Sequence, residues 1–404
     1  MMNKIRVLVV DDSAVVRKLI SRALDGDPDV EVVGIAANGS IALARIEQLA
    51  PDLVTLDLLM PDMDGLETLV EIRKRYPSLP VIMVSSLTER GASETIEALS
   101  LGATDYVLKP VTRDIDMTME VLREDLLGKI RALGRPGGFT ANLAATRDFE
   151  PLAIAAATTA TTAPAVATVG ASSVAATTSG GVAVAARAGV GASTGAATGA
   201  AMGTNAGLGA AVGVRAVVIA VSTGGPQALA SEVPRLPGNL PFGIVIVQHM
   251  PAEFTGRLAE RLNAVSQSPV REVVAGTPLE GGSIWIAPGD QHVVIRGTRA
   301  RPRLELSRTE PENSCRPSAD VLFRSAAAVL GASVLGMVWT GMGQDGLAGA
   351  REIVAAGGQV WAQDKRSSVV WGMPGAVANA GLAKRVLPLQ EFVPALCALV
   401  GIED

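Results

Sequence analysis

The chain has 404 residues, and at about 100–200 residues per domain this makes two domains with room for a third. Its formal net charge is −5, so no basic excess argues for nucleic-acid binding or for an anionic membrane surface. Two cysteines, Cys315 and Cys397, lack CxxC spacing and give neither a disulfide framework nor a zinc site. With no signal-peptide pattern in the run from Met1 to Val10, the expectation is a cytoplasmic protein whose only histidines are His249 and His292.

From residue 3 to residue 131, strand-like apolar runs alternate with helical patterns. Ile5 to Val10, Val30 to Ile35, Leu53 to Leu56, Val81 to Val84 and Tyr106 to Leu108 read as strands. Ser13 to Leu24, Ile41 to Leu49, Leu66 to Arg75 and Glu94 to Leu101 read as the helices between them, with a further helix after Leu108. Five such units predict an open, doubly wound parallel sheet of flavodoxin-like order.

Residues 132–213 are dominated by Ala, Thr, Gly, Val and Ser, with no charge between Glu150 and Arg187. Such a stretch buries too little apolar surface to offset its ordering entropy, and it reads as a low-complexity linker. A membrane insertion is disfavoured by the many Gly, Thr and Ser residues. Residues 214–402 return to buried parallel-strand runs at Ala216 to Ala220, Ile244 to Val247, Val334 to Trp339 and Gln359 to Trp361. Helical patterns such as Glu253 to Val265 and Ala319 to Leu330 fall between them, which predicts a second α/β domain of Rossmann-like type.

In the first domain, chemistry-bearing residues gather at strand carboxyl ends. Asp11 and Asp12 follow the first strand, Asp57 the third, Ser85 ends the fourth and Lys109 the fifth. Strand order 2-1-3-4-5 brings the three acids together, and packed carboxylates call for a hard cation such as Mg²⁺. A carboxylate nucleophile, a Mg²⁺ site, a hydroxyl and a lysine suit phosphoryl transfer to aspartate. Asp12 alone reads equally well as an N-cap. The motifs Val9-Val10-Asp11-Asp12-Ser13, Leu56-Asp57 through Asp64-Gly65, Val84-Ser85-Ser86 and Tyr106-Val107-Leu108-Lys109-Pro110 resemble the receiver domain of two-component response regulators. That resemblance implies Asp57 as phospho-acceptor and Asp11, Asp12 and Asp57 as metal acids, with the Leu59 carbonyl completing the site. It further implies Ser85 and Lys109 as phosphoryl ligands and Tyr106 as the switch aromatic.

In the second domain, Ser222 sits in Ala220-Val221-Ser222-Thr223-Gly224-Gly225-Pro226, between a buried strand and a helix. Glycine backbone and a helix N-terminus suit either a nucleophile beside an oxyanion site or a phosphate cradle, and a plain turn stays open too. His249 follows another strand, and Asp345 lies in the glycine-rich loop Thr340 to Gly346 after a third. Ser as nucleophile, His as base and Asp as orienting anion is triad logic, with the loop offering an oxyanion amide. The order Ser, His, Asp differs from that of an α/β-hydrolase. His292 is the rival base, and Cys315 reads as a bystander thiol.

The arrangement as a whole resembles the chemotaxis protein-glutamate methylesterases, a receiver fused to a catalytic domain. Further motifs carry this: Gln248-His249-Met250-Pro251, Ala287-Pro288-Gly289-Asp290, Arg316-Pro317-Ser318-Ala319-Asp320 and Val370-Trp371-Gly372-Met373-Pro374. The resemblance implies a triad of Ser222, His249 and Asp345, an oxyanion amide from Met342, and Thr223 lining the site. It implies demethylation of glutamyl methyl esters and deamidation of glutamines on chemoreceptors, with a chemotaxis-type histidine kinase as phosphodonor. The hydrolase needs no cofactor on this reading. The linker is longer than the family's, which weakens the hold of an inhibitory receiver only slowly with length. A non-catalytic phospho-regulated scaffold and a receiver-bearing transcription regulator are the other readings; the second lacks a basic recognition helix.

Overall fold

The computed structural model describes residues 4–109, 115–134 and 213–402. The stretch read as a linker, 132–213, lies outside the described residues except at its two ends. The N-terminal domain runs β1 (Ile5–Val10), α1 (Ala14–Leu24), β2 (Val30–Ala36), α2 (Gly39–Leu49), β3 (Leu53–Asp57), α3 (Gly65–Arg75), β4 (Val81–Ser85), α4 (Glu89–Ser100), β5 (Asp105–Leu108) and α5 (Ile115–Leu133). Helices cover both faces of the sheet, so its central strands are largely apolar: Val7, Leu8, Val9 and Val10 are all fully buried. The strands pair in parallel in the order β2-β1-β3-β4-β5, the order the sequence predicts.

Local signals set the helix starts. The Ser13 hydroxyl accepts from the Val16 amide, and Asp64 with Glu67 forms a capping box. Helix α4 begins at Glu89 rather than at Glu94, because the Thr88 hydroxyl accepts from the Gly91 amide and caps an earlier turn.

The C-terminal domain runs β6 (Ala216–Val221), α6 (Gly225–Glu232), β7 (Gly243–Gln248), α7 (Ala252–Asn263), β8 (Val270–Glu272), β9 (Thr277–Pro278), β10 (Ile284–Ile286), β11 (His292–Thr298), β12 (Arg301–Ser307) and α8 (Ala319–Leu330). It continues β13 (Val334–Val338), α9 (Leu347–Ala355), β14 (Gln359–Gln363), α10 (Met373–Asn379), β15 (Arg385–Leu387) and α11 (Phe392–Val400). Seven strands form a parallel sheet in the order β15-β14-β13-β6-β7-β10-β8. Strand β6 is central and buried along its whole length. The chain goes to β7 on one side of β6 and returns to β13 on the other, which opens a crevice at their carboxyl ends. A separate antiparallel sheet has the order β11-β12-β9, and its first strand starts at His292.

Both domains belong to one compact unit, with α4 lying against α6 and α7. The Tyr106 ring at β5 stacks on Phe254 of α7 with centroids 4.9 Å apart. The Gln227 amide donates to the Ala103 carbonyl across the same contact at 2.8 Å.

Candidate active site

The strand ends of the N-terminal sheet gather the expected acids. Carboxylate oxygens of Asp11, Asp12 and Asp57 lie within 4.8 Å of one another. Lys109 Nζ stands 2.8 Å from Asp57 and 3.1 Å from Asp11. Burial raises the Asp57 carboxyl to about 6, against the pull of its hydrogen bond from Lys109. Burial raises Asp11 as well, with Lys109 again opposing. Three carboxylates against one ammonium leave negative charge in excess, and an all-oxygen donor set of this size fits a small hard divalent cation. Ser85 is buried at the end of β4; its hydroxyl accepts from Thr95 at 2.7 Å and reaches the Gly91 carbonyl of α4 at 3.3 Å. The hydroxyl at the end of β4 is thus tied to α4.

In the C-terminal domain the crevice beside β6 collects the other candidates. Ser222 follows β6, and its amide donates to the Thr340 carbonyl of the loop after β13 at 3.0 Å. That loop comes so close that a Cβ on Gly341 would lie 2.8 Å from the Ser222 Cβ. Gly224 holds φ +77, and a Cβ there would strike Val369 at 2.6 Å, so the turn after the serine requires glycine. The His249 amide donates to the Val221 carbonyl at 3.2 Å, which anchors the histidine on the neighbouring strand end.

His249 Nε2 meets Asp345 Oδ2 at 2.7 Å. Asp345 is fully buried and accepts five further donors from the start of α8 and nearby. They are the Ser318 hydroxyl at 2.8 Å, the Ala319 amide at 2.6 Å, the Asp320 amide at 3.0 Å, Asn313 Nδ2 at 3.0 Å and the Gly346 amide at 3.0 Å. Burial pushes the Asp345 carboxyl up, but the hydrogen bond from His249 and these amides outweigh it and hold the group at about 2. Burial likewise works to lower the His249 pKa, and the bond to Asp345 followed by the contact with Cys315 raises it to about 9.

With Nε2 committed to Asp345, Nδ1 is the nitrogen left for the reaction. Cys315 Sγ faces it at 3.6 Å, a contact the sequence gives no sign of. The Ser222 hydroxyl makes no hydrogen bond among the described residues, while the His249 ring bonds Asp345 and Cys315. Thr223 is buried, and its carbonyl accepts from the Thr340 hydroxyl at 2.9 Å. Met342 is exposed on the loop and faces α5 of the other domain, where a Cβ on Gly128 would lie 3.5 Å from its Cε.

His292 is fully buried. Its Nδ1 accepts from the Ser318 amide at 3.1 Å and its Nε2 meets the Glu310 carbonyl at 3.2 Å. Both nitrogens are occupied, so the rival base instead pins the start of α8, whose first amides hold Asp345.

The N-terminal domain covers this site. A cleft of about 590 Å³ is lined by Tyr106, Asp125 and Lys129 on one side and by His249, Cys315 and Arg316 on the other. Lys129 pairs with Asp125 at 3.1 Å and bonds to the Tyr106 carbonyl, which fixes the aromatic at the cleft mouth. Asp105 is raised by burial, with Lys129 and then the Thr223 hydroxyl among the groups pulling it down.

Half of the donors that hold Asp345 are backbone amides, and such groups leave no side-chain signature. The only sequence sign is Ser318 after Pro317, a helix start.

The comparisons with known proteins agree over both domains. A profile described as CheB methylesterase matches residues 217–396, and one described as response regulator receiver domain matches residues 7–119. A protein-glutamate methylesterase/protein-glutamine glutaminase of Nocardioides sp. is 44% identical, with 96% of this chain and 94% of that protein covered. A protein of the same description from Trichodesmium erythraeum is 41% identical, with 99% of this chain and 100% of that protein covered. The crystal structure of the Thermotoga maritima CheB methylesterase catalytic domain is 39% identical with a TM-score of 0.46, covering 47% of this chain and 100% of that one.

Proposed function

The chain belongs to the protein-glutamate methylesterase/protein-glutamine glutaminase family, and from that premise we propose how its residues divide the reaction and its control. It is a phosphorylation-regulated hydrolase of chemotaxis that demethylates glutamyl methyl esters and deamidates glutamines. Its protein substrates are methyl-accepting chemoreceptors, and a chemotaxis-type histidine kinase supplies the phosphoryl group.

The observation that carries the assignment of roles is the His249–Asp345 pair at 2.7 Å, on the strand end beside Ser222. Ser222 Oγ attacks the ester carbonyl while His249 Nδ1 takes its proton. The Met342 amide receives the developing oxyanion. When the C–O bond to methoxide breaks, the imidazolium returns the proton and methanol leaves. Water then attacks the acyl-serine by the same route and releases glutamate and free Ser222. With a glutamine substrate the leaving group is ammonia. Thr223 lines the site beside the nucleophile. Asp345 keeps the imidazole oriented with Nδ1 free, and it stabilises the imidazolium.

Asp57 is the phospho-acceptor. Asp11, Asp12 and Asp57 would hold Mg²⁺, which neutralises the oxygens of an incoming phosphoryl group. Lys109 lies against Asp57 and is placed to pair with that group once attached. A phosphoryl group on Asp57 draws the Ser85 hydroxyl away from α4. The helix and Tyr106 then shift from their seat on α6 and α7, and the cleft opens.

The test is methanol release by the full chain on methylated receptor membranes, with and without acetyl phosphate and Mg²⁺. The rate is expected to rise on the order of tenfold in the wild type and to stay at its resting value in Asp57→Asn. An equal rise in both would remove Asp57 from the control.

A further inference from the structure

At the amino-terminal edge of the C-terminal sheet lies a cavity of about 950 Å³, whose lining includes Arg215, Arg299, Arg301 and Arg303 against a single acid, Glu280. Arg215 precedes β6 and Ser222 follows it, so the strand separates them by roughly 20 Å at about 3.3 Å per residue. The β11–β12 hairpin builds one wall. Its register sets Arg296 directly opposite Arg303, and Thr298 opposite Arg301. These side chains are exposed, while Val293, Ile295, Pro302 and Leu304 are buried on the other face.

Like charges directly opposite on one face of a hairpin are destabilising. Among the described residues no acid lies within ion-pair range of them. The ion pairs of this domain engage Arg235, Arg257, Arg316 and Arg324; among the described residues none engages Arg215, Arg296, Arg299, Arg301 or Arg303. Glu305 shares the face of β12 yet stays out of ion-pair range. Among the described residues Arg299 bonds the Ser333 hydroxyl alone, at 2.5 Å. A concentrated guanidinium surface therefore stands on a chain whose net charge is −5.

We propose that this face docks an acidic stretch of the methylated substrate protein, remote from the glutamate being cut. The inference rests on the reaction assigned above. Each turnover converts a neutral ester into a carboxylate, so the substrate gains negative charge as it is processed. Most of this acidic chain repels such a partner, and the arginine face is where it approaches favourably. Guanidinium forks match carboxylates bidentately. Because the arginines are all exposed around a broad opening, the fit is to a protein surface. A helical substrate reaching from this face to Ser222 must supply about 13 residues, at about 1.5 Å each, to cover roughly 20 Å.

The test uses the full chain with acetyl phosphate and a soluble, methyl-esterified chemoreceptor fragment. The charge-reversal variant R296E/R301E/R303E should raise KM for the fragment about tenfold and leave kcat unchanged. The milder R301Q/R303Q should move KM the same way by less. Wild-type KM should rise with ionic strength, and that of the charge-reversal variant should not. Hydrolysis of p-nitrophenyl acetate should be equal in all three, which reports an intact fold and triad. No turnover of the fragment by the wild type would count against the assigned reaction instead. Unchanged KM in both variants would overturn the docking face. So would a variant that keeps its KM yet loses binding to phosphatidylglycerol vesicles, which would make the occupant a membrane surface.

Discussion

Replacing Ser222 by alanine is expected to lower methanol release by about 10⁵–10⁶-fold at saturating substrate, with KM little changed. The loss is that large because the acyl-enzyme route disappears; oxyanion stabilisation and binding then act alone. The protein should remain folded. The Ser222 hydroxyl has no hydrogen-bond partner to lose among the described residues, and the backbone bonds to Thr340, Gly225 and Gln248 survive the change. Alanine also keeps the Cβ that packs against Gly341. A variant within tenfold of the wild type would reassign the nucleophile, with the Cys315 thiol beside His249 as the next group in reach.

The second large effect is expected from Asp345→Asn, a loss of about 10⁴ in kcat. The carboxylate here accepts on both oxygens: His249 and Ala319 on Oδ2, and Ser318, Asp320, Asn313 and Gly346 on Oδ1. An amide has only one acceptor oxygen, and the crowded Oδ1 side claims it. Its NH₂ then faces His249 Nε2 and forces the tautomer with the proton on Nδ1. That nitrogen can no longer take a proton from Ser222. The same change removes the main influence holding the His249 pKa above 6.5, at about 9. A base works only when deprotonated, so activity rises with pH through the His249 pKa. In Asp345→Asn the residual kcat/KM should therefore rise at lower pH than in the wild type. A pH profile whose acid limb stays in place, despite the loss of rate, would contradict this role for Asp345.

Much of this site is legible in the sequence because parallel strands buried on both faces are continuous apolar runs. Val217 to Val221 and Ile244 to Val247 read plainly, and whatever follows them must stand at the carboxyl edge. This is why Ser222, His249 and the receiver acids could be placed before any coordinates. The hairpin β11–β12 was harder to read. One of its faces is arginine and threonine, and Gly297 interrupts the alternation. Strand β15 is short and largely exposed, so it shows no apolar run. The amides of Ala319 and Asp320 that hold Asp345 carry no side-chain information, and Cys315 reaches His249 from a loop far along the chain. For His292, only burial with both ring nitrogens bonded separates a structural histidine from a base.

The docked domain explains the resting chemistry. Tyr106, held by Lys129, lines the cleft beside an imidazole whose Nδ1 faces Cys315. Opening must therefore do two things: admit a glutamyl ester, and leave Nδ1 free to take the serine proton.

The most direct test of both is the rate at which a fluorophosphonate probe labels Ser222 in the full chain, read by mass spectrometry of the modified peptide. Labelling should be slow in the resting protein, faster after acetyl phosphate and Mg²⁺, and absent in Ser222→Ala. Equal rates in the resting and phosphorylated protein, or an adduct on any other residue, would contradict a gated Ser222 nucleophile.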